Sequence, residues 1–594
     1  MSGPIDMKVN KLRPSYSIES SVQIEEDSET LNRRSRFRRK LRKFNLTLAL
    51  KLSLKIVLVM LYNIYIVYAI HYHKVNGMDM DWCGGLGFLI IITLIVYFSL
   101  LYFYILKPGY KRSHVKIRVP ERAERVVKHR FFSYLVTLLV FAAFVVFLVV
   151  DTVNDRYRLV SAGGLVLILL LGFIFSTSRK RVVWRHIIWG LSLQFIFGLL
   201  ILRWEYGRVF FNCLGNKIDT FLGFTDTGSS FVFGYLVNQK PFLPHKLENN
   251  SIAREVAEEI NRNHAVSTVV VFKALSTVYF FSFLVSMLYY WGALQWLVMK
   301  LGWLLQATVG TTACESLNAS ANIFMGQATA PFLIKPYLAD LTLSEIHAVM
   351  TGGFATIAGT VLAAYISFGV SSAHLVSASV MSAPAALAFA KLFYPETEKS
   401  RTRSENIQID PPTEANVLDA ATQGATAAGI LVVNITAIVV AFIAFMTFVN
   451  SVVGFLGDQV GLENLTFDSI LGKLFIPLTF CMGVEWKDCE KVARLIGVKT
   501  ILNEFIAYRE LGILIKDGEL SPRSAVIATY ALCGFANPGS IGVQLATLSS
   551  LAPQRKSDFS KVVFRAFISG TAACFLTACI AGTLFDESTY IPFE

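Results

Sequence analysis

Three polar stretches interrupt an otherwise apolar chain, and their residues are of kinds that hold a ligand. The first is Asn322-Ile323-Phe324-Met325-Gly326-Gln327-Ala328-Thr329-Ala330-Pro331. Gly326 and Pro331 both work against a continuous helix. Backbone that leaves a helix in hydrocarbon must line a cavity or be buried in protein. The stretch therefore reads as a broken, re-entrant tip whose amides and side chains face a ligand. A membrane helix with an ordinary kink is the alternative. The second stretch is Asn503-Glu504, ahead of Phe505-Ile506-Ala507-Tyr508. A carboxylate inside the membrane needs a cation, a hydroxyl-rich ligand or its own proton. Here the alternative is a structural ion pair with Arg494 or Lys499. The third stretch, Cys533-Gly534-Phe535-Ala536-Asn537-Pro538-Gly539-Ser540-Ile541-Gly542, is broken by Pro538 and Gly539. Asn537 offers a donor and an acceptor, and Ser540 a hydroxyl. With Glu504 they suit the hydroxyls of a sugar, while Gln327 and the backbone beside it suit the edge of a base. Asn322, the Met325 carbonyl, Thr356 and the Ile357 carbonyl are neutral oxygens of the kind that unwound transporter helices offer to sodium. Thr356 taken alone reads as helix packing.

The elements that position these stretches must be membrane helices. The chain has 594 residues, a mean hydropathy of +0.52 and only 16% charged residues, too apolar for a soluble protein of this length. Several runs exceed the roughly 18 apolar residues that mark a span. Residues 1–44 read as a disordered cytoplasmic tail ending in a basic run, Arg33 to Lys43. That run serves as a topology anchor, with a nuclear signal or a lipid site as alternatives. No cleavable signal pattern is visible. Spans are expected at about 46–70, 85–106, 131–151, 159–176 and 183–203. Basic segments at 107–130 and Arg179-Lys180-Arg181 follow an even number of spans. That alternation puts the N-terminus in the cytoplasm, so the net charge of +13 is no nucleic-acid signature.

Residues 205–262 hold an interfacial amphipathic helix around Phe210, Phe211, Leu214, Ile218, Phe221 and Leu222. Further spans are expected at about 266–290, 346–370, 372–393 and 429–455, with a second interfacial helix at 416–428. Interrupted short apolar segments at 306–338 and 465–484, the latter broken by Pro477 and Gly483, are what a midplane binding site in a transporter looks like in sequence. The last elements fall at about 488–512, 523–548 and 561–585. The expectation is an all-α polytopic membrane protein of about eleven transmembrane helices with two re-entrant hairpins and interfacial helices. It divides into a tail (1–44), extra N-terminal helices (45–180) and a core (181–594). A phosphate-binding Walker loop, a zinc-protease helix and a serine-hydrolase elbow are all absent, and the Cys and His residues lack metal spacing. Neither an enzyme nor nucleotide-driven transport is expected.

Assembled, these residues resemble the concentrative nucleoside transporters, sodium-coupled solute carriers for nucleosides. The likeness runs from about 190 to 585. It is carried by Phe224-Thr225-Asp226, Phe231-Val232-Phe233-Gly234, Asn322-Ile323-Phe324, Pro336-Tyr337-Leu338 and Glu345-Ile346-His347-Ala348-Val349-Met350-Thr351. It continues through Phe354-Ala355-Thr356-Ile357-Ala358-Gly359, Gly483-Val484-Glu485-Trp486, Val492-Ala493-Arg494-Leu495-Ile496-Gly497, Asn503-Glu504-Phe505 and Cys533-Gly534-Phe535-Ala536-Asn537. The extra N-terminal spans look like the animal branch.

The resemblance implies a plasma-membrane homotrimer with a scaffold region and an elevator-like transport region. It implies sodium as the coupling ion, with no other cofactor, and import of purine and pyrimidine nucleosides, closest to the broad-selectivity type. Carried over, the solute site is Gln327, Ala328, Thr329, Glu504, Asn537 and Ser540. The sodium site is Asn322, Met325, Thr356 and Ile357. The family's usual Gly-Gln-Thr-Glu-Ser is here Gly326-Gln327-Ala328-Thr329-Ala330. A hydroxyl has become Ala328 and a carboxylate Thr329. The alternative is therefore a transporter of the same fold that takes a nucleobase or modified nucleoside, or is coupled to protons.

Overall fold

The computed structural model describes residues 53–54, 56–101, 142, 146, 148–153, 155–238, 270–401, 414–462 and 465–587, and every regular element among them is helical. The tail 1–44, the basic loop 107–130, most of the expected span 131–151 and residues 239–262 lie outside the described residues. The chain divides into two compact units, Met1–Glu121 and Arg122–Glu594. In the first, α1 (Ile56–Val75) and α2 (Leu86–Leu101) are joined by hydrogen bonds between Tyr62 and Thr93 hydroxyls at 2.8 Å and from the Tyr97 hydroxyl to Asn63 Oδ1 at 2.9 Å. Most of their other apolar side chains face outward, which suits lipid rather than water.

The second unit begins with α3 (Arg158–Ile174), α4 (Trp184–Gly198, continued by a π turn Leu199–Arg203) and α5 (Glu205–Phe233). It continues with α6 (Ser276–Tyr290), α7 (Ala293–Val309), α8 (Ala313–Asn322), a 3-10 stretch Ala330–Asp340, α9 (Leu343–Ala355), α10 (Gly359–Ser367) and α11 (Ser372–Phe393). After a polar loop come α12 (Val417–Asp458), α13 (Phe467–Cys481), α14 (Cys489–Ile501), α15 (Glu504–Lys516), α16 (Pro522–Leu532), α17 (Pro538–Leu551) and α18 (Lys556–Leu584). Among the described residues, seven helical stretches are long and apolar enough to cross a membrane, and α2 and α3 are shorter apolar helices.

α11 is the hub, with α4, α9 and α18 packed against it. Its Ala378, Ala383, Ala385, Ala386, Ala388 and Ala390 are all buried, and small residues let helix backbones approach closely where no water drives them together. α11 is buried along almost its whole length, whereas most of α12 is not. α12 packs chiefly on α6 and presents an apolar outer surface, so the two belong to different environments. The buried N-termini of α8 and α9 are held by capping boxes, Thr312 with Glu315 and Thr342 with Glu345. Lys391 of α11 pairs with Glu315 and donates to Ser344 Oγ at 3.0 Å. These contacts fix α8, which leads into the first polar stretch, and α9, which packs beside it.

Four expectations change. Residues 416–428 and 429–455 are one unbroken 42-residue helix, because no proline stands at the expected junction and Gly424 and Gly429 there weaken the helix without ending it. At about 1.5 Å per residue it is roughly twice as long as hydrocarbon is thick. Pro477 lies inside the continuous helix α13 and Gly483, at φ +90°, sits in the turn after it, so the segment 465–484 is broken at its end and not at Pro477. The expected span 488–512 is instead interrupted at Leu502–Asn503. The span 523–548 is interrupted at Cys533–Asn537.

Candidate functional site

Every residue of α8 is buried, including Glu315, Ser316, Asn318, Ser320 and Asn322. A helix so polar and so buried is there to present groups. It ends in the turn Ile323–Thr329, where Gly326 has φ +76° and a Cβ would lie 2.3 Å from that of Ala358. Only glycine allows this contact. Ala358 belongs to the break between α9 and α10, and the two irregular loops are joined by the Gly359 N–H donating to the Phe324 carbonyl at 3.1 Å. The Ser379 hydroxyl lies 3.4 Å from the Ile323 carbonyl and 3.3 Å from that of Ile357.

Asn322, Thr356 and Ile357 are buried on this seam. Asn322 donates to the Asn318 carbonyl at 2.9 Å, and its own Oδ1 is buried with no partner. Thr356 donates to the Gly352 carbonyl at 2.8 Å, which leaves its hydroxyl lone pairs to accept. An orphaned amide oxygen among neutral oxygens fits a small alkali cation and does not fit a transition metal. Among the described residues no group of His, Cys, Asp and Glu could hold a metal ion. Gln327 is buried with its Oε1 unpartnered, whereas Ala328 and Thr329 are exposed at the tip. The Thr329 hydroxyl folds back to donate to the Met325 carbonyl.

The second constellation is built from two more breaks. Asn503 is extended and caps α15, accepting from the Ile506 N–H at 3.0 Å. Asn537 is extended and caps α17, accepting from the Ser540 N–H at 2.9 Å. Pro538 then stands in the first turn of α17, where a missing N–H costs nothing. The two caps bring Glu504 and Asn537 together, and Asn537 Nδ2 donates to Glu504 Oε2 at 2.5 Å. Both side chains are at least 96% buried, at 3% and 4% exposure. A carboxylate in the first turn of its helix is favoured by the helix dipole, and its second oxygen has capacity left.

Lys499 does not form the ion pair weighed from the sequence. Its Nζ donates to the carbonyls of Ala531 at 3.0 Å and Cys533 at 2.8 Å, at the broken end of α16. Arg494 pairs instead with Glu510 at 3.1 Å. Gly534, at φ +99°, brings this break against α9, since a Cβ there would lie 2.4 Å from the Phe354 carbonyl oxygen. Tyr365 of α10 stacks on Tyr508 of α15 at 4.4 Å and meets Phe505 edge-on at 5.1 Å, so aromatic packing joins α10 to the helix that begins at Glu504. The Lys499 cap and the Asn503 cap were not read from the sequence. Asn503 three residues ahead of Ile506 is a capping signal that marks the break, but a buried lysine on carbonyls leaves no local pattern.

Three family models match the chain: Na+ dependent nucleoside transporter N-terminus over residues 163–236, Nucleoside recognition over 271–372, and Na+ dependent nucleoside transporter C-terminus over 374–582. Solute carrier family 28 member 3 of Mus musculus is 47% identical over 75% of this chain and 61% of its own length. Sodium/nucleoside cotransporter 2 of Rattus norvegicus is 42% identical over 84% of this chain and 73% of its own length. Among solved structures, CNTnw in an inward-facing substrate-bound state has a TM-score of 0.65 at 34% identity, covering 72% of this chain and 98% of that one. An outward-facing state of CNTnw gives 0.66 at 34% identity, over 72% and 98%. The chain belongs to the concentrative nucleoside transporter family. It falls in the animal branch, and it is a multi-pass membrane protein. It spans about three-fifths of the length of the first curated relatives it matches. Within this transporter family member, Asn322, Gln327, Thr356 and Ile357 fall in the segment matched by the nucleoside recognition model, and Glu504, Asn537 and Ser540 in that of the C-terminal model.

Proposed function

We propose that this protein is a sodium-coupled symporter that imports purine and pyrimidine nucleosides across the plasma membrane. It works as a homotrimer by an elevator-type alternating-access mechanism, with its N-terminus in the cytoplasm. The observation that carries this reading is the buried Glu504–Asn537 pair at two converging helix starts. A carboxylate acceptor beside an amide is the pairing that vicinal ribose hydroxyls need, and a charged acceptor strengthens each such bond. Asn322, Met325, Thr356 and Ile357 supply the neutral oxygens for sodium, and the ion supplies positive charge close to the solute site. Gln327 faces the base, and Ser540 joins Asn537 at the ribose. The outward-facing α12, with α6 packed on it, serves as scaffold, while the buried helices around α11 move with the solute.

The test is uptake of radiolabelled uridine, adenosine and uracil in cells expressing the chain, in sodium and with choline replacing it. Saturable uptake of both nucleosides that collapses in choline is expected. No nucleoside flux with the protein shown to be at the surface overturns the reading. The second reading is a transporter of the same fold for a nucleobase or modified nucleoside, or one driven by protons. It is favoured by one observation, the exposed Thr329 standing where the family has a carboxylate. Uracil uptake, or uptake that follows a pH gradient in choline, selects it.

A further inference from the structure

α9 carries a glycine, Gly353, in its last turns, and glycine weakens a helix. The reason lies in what fills the space. A Cβ at Gly353 would lie 2.0 Å from Nε2 of Gln544 and 2.9 Å from Cβ of Gln327. The two glutamines thus meet across the bare face of Gly353, one from the first polar stretch and one from α17, a turn beyond Ser540. Gln544 is 3% exposed, and its Nε2 is committed to the Met350 carbonyl at 3.0 Å. That bond fixes the orientation of the amide, because the flipped form would set oxygen against oxygen. Gln544 Oε1 is then left buried with no partner, and Gln327 Oε1 is in the same state. Both orphaned acceptors belong to side chains that meet over Gly353, and two acceptors cannot satisfy each other. Buried acceptors of this kind are met by a donor, and a ligand that brings an N–H between them meets both.

The geometry points to Gln544 as a specificity-determining residue that, with Gln327, accepts from the N–H edge of the nucleobase. This rests on the nucleoside reading above. A uracil ring offers its imino N–H and an adenine ring its amino group. An analogue methylated at that nitrogen offers nothing and leaves the acceptors unpaired. Nothing in Glu504, Asn537 or Ser540 can make this distinction, since they lie at the sugar. Met350 is only a support: its carbonyl holds the Gln544 amide in place, and Gly353 keeps the space open.

The test is competition of uridine and 3-methyluridine against labelled uridine uptake, for the wild-type chain, Gln544→Met, Gln327→Met and the double variant. Methionine keeps the length and apolar stem of glutamine and removes only the amide, so packing against Gly353 survives. In the wild-type chain uridine is expected to compete roughly tenfold better than its methylated analogue, the order expected for one unpaired buried acceptor. In Gln544→Met that ratio is expected to fall to within about threefold, and the double variant is expected to fall no further, because both amides act on one edge. A second arm uses adenosine against N6,N6-dimethyladenosine, with the same pattern expected. If Gln544→Met lowers uptake of every solute equally and leaves the ratio unchanged, Gln544 only props Met350 and the inference fails while the nucleoside reading stands. If the wild-type chain takes up no nucleoside, the reading fails and carries this inference with it.

Discussion

The breaks between α9 and α10 and between α16 and α17 are the same device used in opposite ways. Each interrupts a membrane helix and leaves carbonyls without an intrahelical partner, a local concentration of negative charge. At the second break that charge already has an answer in the chain, since the Lys499 ammonium donates to the Ala531 and Cys533 carbonyls. At the first break and the Ile323–Thr329 turn joined to it, the groups that approach among the described residues are neutral. The Ser379 hydroxyl stands 3.3 Å from the Ile357 carbonyl, the Thr329 hydroxyl is on the Met325 carbonyl, and Asn322 Oδ1 has no partner. The second break carries its own tethered cation and can spend its polar groups on the solute. The first shows none among the described residues and suits a cation from solution. The difference assigns the two breaks different tasks, although in sequence both are simply small and polar residues inside apolar runs.

If the tasks are divided in this way, variants at the second break change solute uptake with sodium dependence preserved. The largest effect is expected for Glu504→Gln. It keeps size and burial but exchanges a charged acceptor for a neutral one, whose one remaining acceptor oxygen is already taken by Asn537 Nδ2. Uridine uptake at fixed concentration should drop by about a hundredfold, the upper range for hydrogen bonds to a charged group, with the protein still assembled at the surface. Normal uptake by this variant overturns the site. Next comes Lys499→Met, which takes the ammonium from the Ala531 carbonyl, leaves the Cys533 carbonyl only the weak Cys574 thiol as donor, and removes positive charge from the region of Glu504. About tenfold less uptake is expected, with a lower thermal midpoint of the purified protein. Unchanged stability and uptake would mean that the second break does not need its cation, and the contrast between the breaks would go.

How much of this could be read in advance depends on what each residue does to its neighbours in the chain. The breaks at Gly326 and at Pro538-Gly539 are legible because glycine and proline act on their own backbone. The break at Leu502–Asn503 has neither residue, and the run 488–512 therefore reads as one span. Only the cap from Asn503 Oδ1 to the Ile506 N–H marks it. Pro477 shows the reverse error: it sits within α13 without ending it, because tertiary contacts with α14 hold the helix through the missing hydrogen bond. The residues of the candidate site were legible by type, and their pairing by resemblance. Lys499 and Gln544 were not, since each acts on backbone more than thirty residues away along the chain, at Cys533 and Met350. The length of α12 was obscured because its Ala-rich start differs in composition from its apolar remainder, and composition does not by itself end a helix.

The first break gives the complementary tests. Thr356→Val keeps the shape of the side chain and removes its oxygen. The sodium concentration for half-maximal uptake is expected to rise about tenfold, the order for one lost polar ligand. Competition between uridine and adenosine at saturating sodium should stay as in the wild-type chain. A changed base preference with unchanged sodium dependence would exchange the roles of the two breaks.

The smallest effect is expected at Thr329, the residue that touches both tasks. Its hydroxyl occupies the Met325 carbonyl, and its side chain stands exposed at the tip beside Gln327. Thr329→Glu removes the hydroxyl donor, frees that carbonyl for the ion and adds a negative charge, but in a solvated position where charge interactions are weak. The half-saturating sodium concentration should fall by about two- to threefold, in keeping with an exposed charge worth less than ~1 kcal/mol. Base preference should not move. A shift of about tenfold or more between uridine and adenosine would place the tip in contact with the base. The line between the breaks would then run through Thr329 itself, and the exposed side chain would have to close over the solute during transport.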